Sequence, residues 1–134
     1  MTPLRRKPPE PEAAAARDAF RRVVLELDAA QRILLGAVPT SRDSGAPLMP
    51  AIEEFLAGLG RAEASMPGWR SDRTELLWTR CTQALMLARI HAERMRDDPA
   101  SERLGFEPLN ARLGDVVSPL EEFADVAEEI RRLR

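Results

Sequence analysis

Residues 71–96 read SDRTELLWTRCTQALMLARIHAERMR, the most apolar long run in the chain and the segment around which the others are arranged. At about 100° per residue, Leu77, Cys81, Ala84, Leu85, Ala88, Ala92 and Met95 fall on one stripe, and Leu76, Trp78 and Leu87 widen it to roughly 200° of arc. A helix with one face in water needs about half that width. The polar remainder is a narrow strip of Glu75, Thr79, Thr82, Arg89 and Glu93. The stretch therefore predicts a central helix that touches neighbours on at least two sides. Ser71 or Asp72 is the expected cap, Asp72 and Glu75 having the spacing of a capping box, and Asp97, Asp98 and Pro99 stop the helix.

Working back toward the N-terminus, MPGWR (66–70) reads as a turn. Its Trp69 is expected to fold over the end of the bundle beside Met66 rather than stand exposed as a partner anchor, because a lone exposed Trp is costly. A second helix is predicted from about Pro50 to Ser65, with Ile52, Phe55, Leu56, Leu59, Ala62 and Met66 inward. Gly58 and Gly60 each weaken it by up to about 1 kcal/mol relative to alanine, unless they serve a close helix approach. TSRDSGAP (40–47) is a loop by its Ser, Asp, Gly and Pro content. Before it, Glu12 and four alanines open a helix in which Ala16, Phe20, Val23, Leu27, Ala30, Leu34 and Ala37 recur at spacings of four and three, a seam against partner helices. Gln31 lies in that seam, where a buried amide must find hydrogen-bond partners and sets register across the bundle. Residues 1–11 hold Arg5, Arg6, Lys7 and four prolines and read as a tail outside the domain, which spans 12–134.

Beyond the central helix, DDPASERLGFEP (97–108) is the longest connection, and its Leu104 and Phe106 call for partial packing against the core. A fourth helix starts near Leu109, with Leu113, Val116, Leu120, Phe123, Ala127 and Ile130 in the same rhythm. Ser118, Pro119 and Glu121 form a helix-start signal in its middle. Either one helix kinks at Pro119 or a short helix over 109–117 hands over to a longer one over 119–133. No strand-like alternation occurs, and the predicted fold is an all-α, antiparallel up-down-up-down four-helix bundle with Phe20, Phe55, Trp78 and Phe123 inside.

The 134 residues suffice for one domain with a real core. A formal net charge of −2 excludes a whole-domain field drawing the chain to nucleic acid or anionic lipid. Lys7 is the only lysine beside many arginines, alanines, prolines and glycines, which points to a GC-rich bacterial genome rather than to phosphate recognition. A single cysteine, Cys81, leaves no intrachain disulfide partner and reads as a small buried hydrophobe. With no signal-peptide core at the N-terminus and no membrane-length apolar run, the expected location is the cytoplasm.

A dimetal bundle needs two Glu-x-x-His units, yet His91 is the only histidine and no glutamate stands three before it. Zinc fails the same count. Cys81 and His91, ten residues apart on one helix, are separated by about 15 Å and form no dyad. His91 at the stripe's edge is expected to serve as an interface hydrogen-bonder. Glycine-rich phosphate loops are absent. Glu121, Glu122, Asp125, Glu128 and Glu129 crowd the fourth helix, and acidic pairs on two helices hold magnesium in all-α nucleotide pyrophosphohydrolases; here Glu53 and Glu54 supply no matching pair, and a solvated charged face is the preferred reading.

These observations imply no cofactor, no metal and no identified reaction. The leading expectation is a non-catalytic interaction module that associates with itself, a homodimer being the simplest form, or with a helix of another protein. Its alternative is a small-molecule binder with a pocket near Trp78, Gln31 and His91, and a metal-dependent hydrolase on the fourth helix stands last. Gln31, Trp69, Trp78 and His91 are the candidate ligand or interface contacts.

Overall fold

A computed structural model describes residues 11–37 and 48–132; most of the N-terminal tail and the loop at 40–47 lie outside them. The described residues are helical throughout, with no strand. Four long helices follow in order: α1 (Pro11–Gly36), α2 (Leu48–Ser65), α3 (Glu75–Asp97) and α4 (Phe106–Arg132), with 3-10 turns at Met66–Trp69 and Ser101–Arg103. Pro11, grouped with the tail by composition but suited to a first helical turn by its missing N–H and fixed φ, opens α1. α4 is one helix through Pro119, starting at Phe106 rather than near Leu109.

α1 packs most extensively on α2 and α3 on α4, with α2 against α3 next and only slight contact between α1 and α4. One core joins all four: Val23, Leu27 and Leu34 from α1, Ile52, Phe55 and Leu59 from α2, Leu85 and Met95 from α3, Leu113, Val116 and Val126 from α4. With Ala30 on α1, Cys81, Ala88 and Ala92 on α3, and Leu120 and Phe123 on α4 also buried, most of the seam read from the sequence is the buried face, which on α4 also takes in Val126. Leu104 packs against the same core, as its apolar side chain requires.

The entry to α3 differs from the expected capping. Neither Ser71 nor Asp72 is the cap: α3 is capped at Thr74, which makes no side-chain cap hydrogen bond. In the turn before it the Ser71 backbone N–H donates to Thr74 Oγ1 at 3.0 Å, and the Thr74 N–H donates to Ser71 Oγ at 3.3 Å, the reciprocity of a capping box placed ahead of the helix. Thr74 Oγ1 also donates to the Trp69 carbonyl at 2.9 Å. Glu75, expected to reach back to Asp72, instead accepts from Arg70 Nε at 2.9 Å and Nη2 at 2.7 Å. At the other end, buried Ser101 donates to the Met95 carbonyl at 2.6 Å, satisfying one of the acceptors a helix terminus leaves open.

Glycines separate into two kinds. A β-carbon on Gly68 would sit 2.7 Å from Ala19 Cβ, and one on Gly58 3.1 Å from Ala30 Cβ, so both mark close approach to α1. Gly114, inside α4, would meet nothing within 4 Å. Gly114→Ala is therefore expected to stabilise the protein by roughly 0.5–1 kcal/mol, since only the entropic cost of glycine is removed. Gly68→Ala is expected to cost about 1–3 kcal/mol by overpacking. Paired thermal melts check both signs, and a Gly68→Ala variant as stable as the parent would mean that the 3-10 turn does not press on α1.

Candidate functional site

The two tryptophans have opposite fates. Trp69 is 3% exposed and meets Phe20 edge to face, ring centroids 4.9 Å apart; Phe20 in turn stacks on Phe123 at 5.7 Å. A side chain enclosed in this way ties the 3-10 turn to α1 and α4 and has no face for a partner. Its indole Nε1 is buried with no hydrogen-bond partner among the described residues. Trp78 was expected wholly inside; it is half-buried at the edge of the core. Its Nε1 donates to the Met66 carbonyl at 2.7 Å, and the Arg70 guanidinium lies 4.2 Å above its ring centroid, a cation–π distance. Arg70 is fixed there by Glu75, whose carboxyl is held below the usual carboxylate range by the hydrogen bonds from Arg70.

Beside Trp78 lies a cavity of about 260 Å³ lined by Glu63, Met66, Pro67, Trp78, Thr82 and Leu85. Thr82 Oγ1 is buried there with no hydrogen-bond partner among the described residues. Glu63 is engaged by Arg89 from α3. Neither Gln31 nor His91 lines this space. His91 is thirteen residues beyond Trp78 on the same helix, about 20 Å along its axis. Gln31 is on α1 and only half-buried, not enclosed as its place in the seam implied. Of the three residues grouped as one pocket by their chemistry, only Trp78 lines this cavity.

The acidic residues of α4 are not simply a solvated face. Arg80 of α3 reaches across to Glu122, with Nε to Oε1 at 2.8 Å, and to Glu129 at 3.3 Å. Glu122 is half-buried by this clamp. The guanidinium is pushed to a higher pKa chiefly by its hydrogen bond to Glu122. Heptad counting missed the clamp, because it compares positions on one helix and Arg80 belongs to another. A groove of about 450 Å³ runs alongside between α3 and α4, lined by Gln83, Leu87, Pro119, Glu121 and Asp125 among others. Among the described residues no group of three or more His, Cys, Asp or Glu is placed to hold a metal ion.

Cys81 is fully enclosed, and burial pushes its thiol up to about 12. It stays protonated at neutral pH and carries no nucleophilic role. Because burial penalises the thiolate, the thiol costs the fold nothing below the ordinary value near 9, and folding stability is expected to fall as pH rises from there toward about 12.

The exposed side of α3 is the least expected surface. Leu76 is 82% exposed, Met86 55%, Leu87 50% and Ile90 36%. Leu76 and Leu87 were expected in the covered stripe; Leu76 is left open, and Leu87, at the groove beside α4, is only half covered. With Cys81, Leu85, Ala88, Ala92 and Met95 buried on one side, these four lie opposite, so α3 is apolar on two faces. Leu25 and Leu35 on α1 are each 60% exposed as well. No described helix is long and apolar enough to cross a membrane. Comparison with known proteins finds no matching family model, no matching curated protein and no matching solved structure.

Proposed function

We propose that this chain is a non-catalytic interaction module that associates through the solvent face of α3, with itself or with an apolar helix of another protein. The observation that carries this reading is the row of Leu76, Met86, Leu87 and Ile90, four large apolar side chains left in water on one helix. Scattered exposed leucines are ordinary; an aligned set on a helix whose other face is already buried is the pattern of an interaction surface. The arrangement proposed beneath it is an antiparallel up-down-up-down bundle, supported by the pairing of helices adjacent in sequence, with α4 bent at Pro119 because that residue has no N–H for the helical ladder.

Sedimentation velocity over a range of protein concentrations tests the reading. The parent chain is expected to associate, and Leu87→Glu to shift the population to monomer while its circular dichroism is unchanged, since half of that side chain is already in solvent. A parent chain that stays monomeric and captures no helical partner sinks the proposal.

A second reading, a small-molecule binder, rests on the cavity beside Trp78, whose apolar wall holds the unpartnered Thr82 hydroxyl. Native mass spectrometry of protein from its own host would reveal a retained compound, and a bare mass would remove this reading. The hydrolase reading gains no support, since Glu122 and Glu129 are already committed to Arg80.

A further inference from the structure

The cavity beside Trp78 has one polar group to spare. Of its lining residues Met66 and Leu85 are buried, Glu63, Trp78 and Thr82 are half-buried, and Pro67 is exposed. Two of the three polar side chains are already committed: Trp78 Nε1 donates to the Met66 carbonyl at 2.7 Å, and Glu63 is held by Arg89 of α3. Thr82 Oγ1 is buried and has no hydrogen-bond partner among the described residues. Charge is closed off as well. Glu63 is the only ionisable residue of the lining, and Arg89 neutralises it; Arg70, over the Trp78 ring, is paired with Glu75.

These commitments limit what the cavity can take. Its volume of about 260 Å³ lies below the roughly 300–1,000 Å³ of sites for drug-sized ligands and above the roughly 150 Å³ that encloses a benzene ring. One ring with a substituent is the size that fits. Trp78 and Met66 favour an aromatic guest, since rings pair offset or edge to face with an indole and a thioether packs against ring edges. A carboxylate would meet Glu63 and an ammonium would have to displace Arg89, so the guest is uncharged. A single unmatched hydroxyl calls for a single polar group. We infer that the cavity binds a small neutral aromatic compound of one ring, carrying one hydroxyl that bonds to Thr82. The inference rests on the small-molecule reading above and names the class of compound. A helical threonine has two accessible χ1 rotamers, so the hydroxyl can turn to a partner that enters the space its residue lines. Because a hydroxyl both donates and accepts, either sense of the bond serves.

Phenol and toluene, alike in shape and different in the hydroxyl, are the probes. Titrated into the full chain and followed by proton–nitrogen NMR, phenol is expected to shift the Trp78 Nε1 signal to saturation; Trp69→Phe identifies that signal by removing the other indole. Thr82→Val keeps the shape of threonine without the hydroxyl. It is expected to lower the affinity for phenol relative to toluene about five- to tenfold, and Thr82→Ser to retain the parent ratio. Nuclear Overhauser contacts between phenol and the Thr82 methyl in the parent place the ring without any substitution. An unchanged ratio in Thr82→Val, or phenol contacts that miss Thr82, overturns the class of compound and leaves a ligand site standing. No saturable shift of the Trp78 signal with either probe overturns the small-molecule reading with it.

Discussion

Phe55→Ala is expected to remove about 3–5 kcal/mol of folding stability, the range for truncating a buried phenylalanine. Phe55 has no exposed surface and belongs to the core cluster to which all four helices contribute. Truncation loses the transfer energy of the ring and leaves a cavity that four packed helices close only in part. Against a total stability of about 5–15 kcal/mol for a domain of this size, that is a large fraction, and partial unfolding at ambient temperature is within reach. Urea denaturation measures it: the midpoint falls while the slope stays near that of the parent. Leu25→Ala, at a site 60% exposed on α1, provides the contrast and is expected to change stability by under about 0.5 kcal/mol. Equal effects at the two sites would mean that α2 does not sit at the centre of the fold.

Trp69 is the second large case, and here the size of the effect depends on the replacement. Trp69→Ala is expected to cost about 3–5 kcal/mol, because the indole fills the space between the 3-10 turn and α1 and holds Phe20, and through it Phe123. Trp69→Phe is expected to cost far less, about 1 kcal/mol or below. The phenyl ring keeps much of the edge-to-face packing, and the substitution removes an Nε1–H that is buried without an acceptor among the described residues and so weakens the native state. Parallel melts of the two variants separate packing from hydrogen bonding. A phenylalanine variant as damaged as the alanine one would show that the indole nitrogen has a partner after all.

Both results bear on the interaction surface. Neither residue lies on the exposed face of α3, so under the proposed function each variant that remains folded is expected to associate like the parent, whereas Leu87→Glu is expected to change association alone. Stability and the proposed association would then belong to different faces of the same molecule.

The four helices and the residues that face inward were legible in the chain because burial repeats every three to four residues: Val23, Leu27, Ala30 and Leu34 on α1, or Leu113, Val116, Leu120 and Phe123 on α4, are periodic before any neighbour is specified. The buried Cys81 and the inward turn of Trp69 followed from the cost of leaving such groups in water. Which part of the roughly 200° apolar arc of α3 finds cover is a different kind of question, because an arc records how much surface wants burial and not where the neighbours stand. Only the tertiary structure decided that α2 and α4 take one side and leave Leu76 and half of Leu87 in solvent. It likewise decided that Arg80 clamps Glu122 and Glu129, and that Trp78 lines a cavity that neither Gln31 nor His91 reaches. Periodicity is a property of one helix, and contacts between side chains distant in sequence depend on how helices cross and rotate against one another.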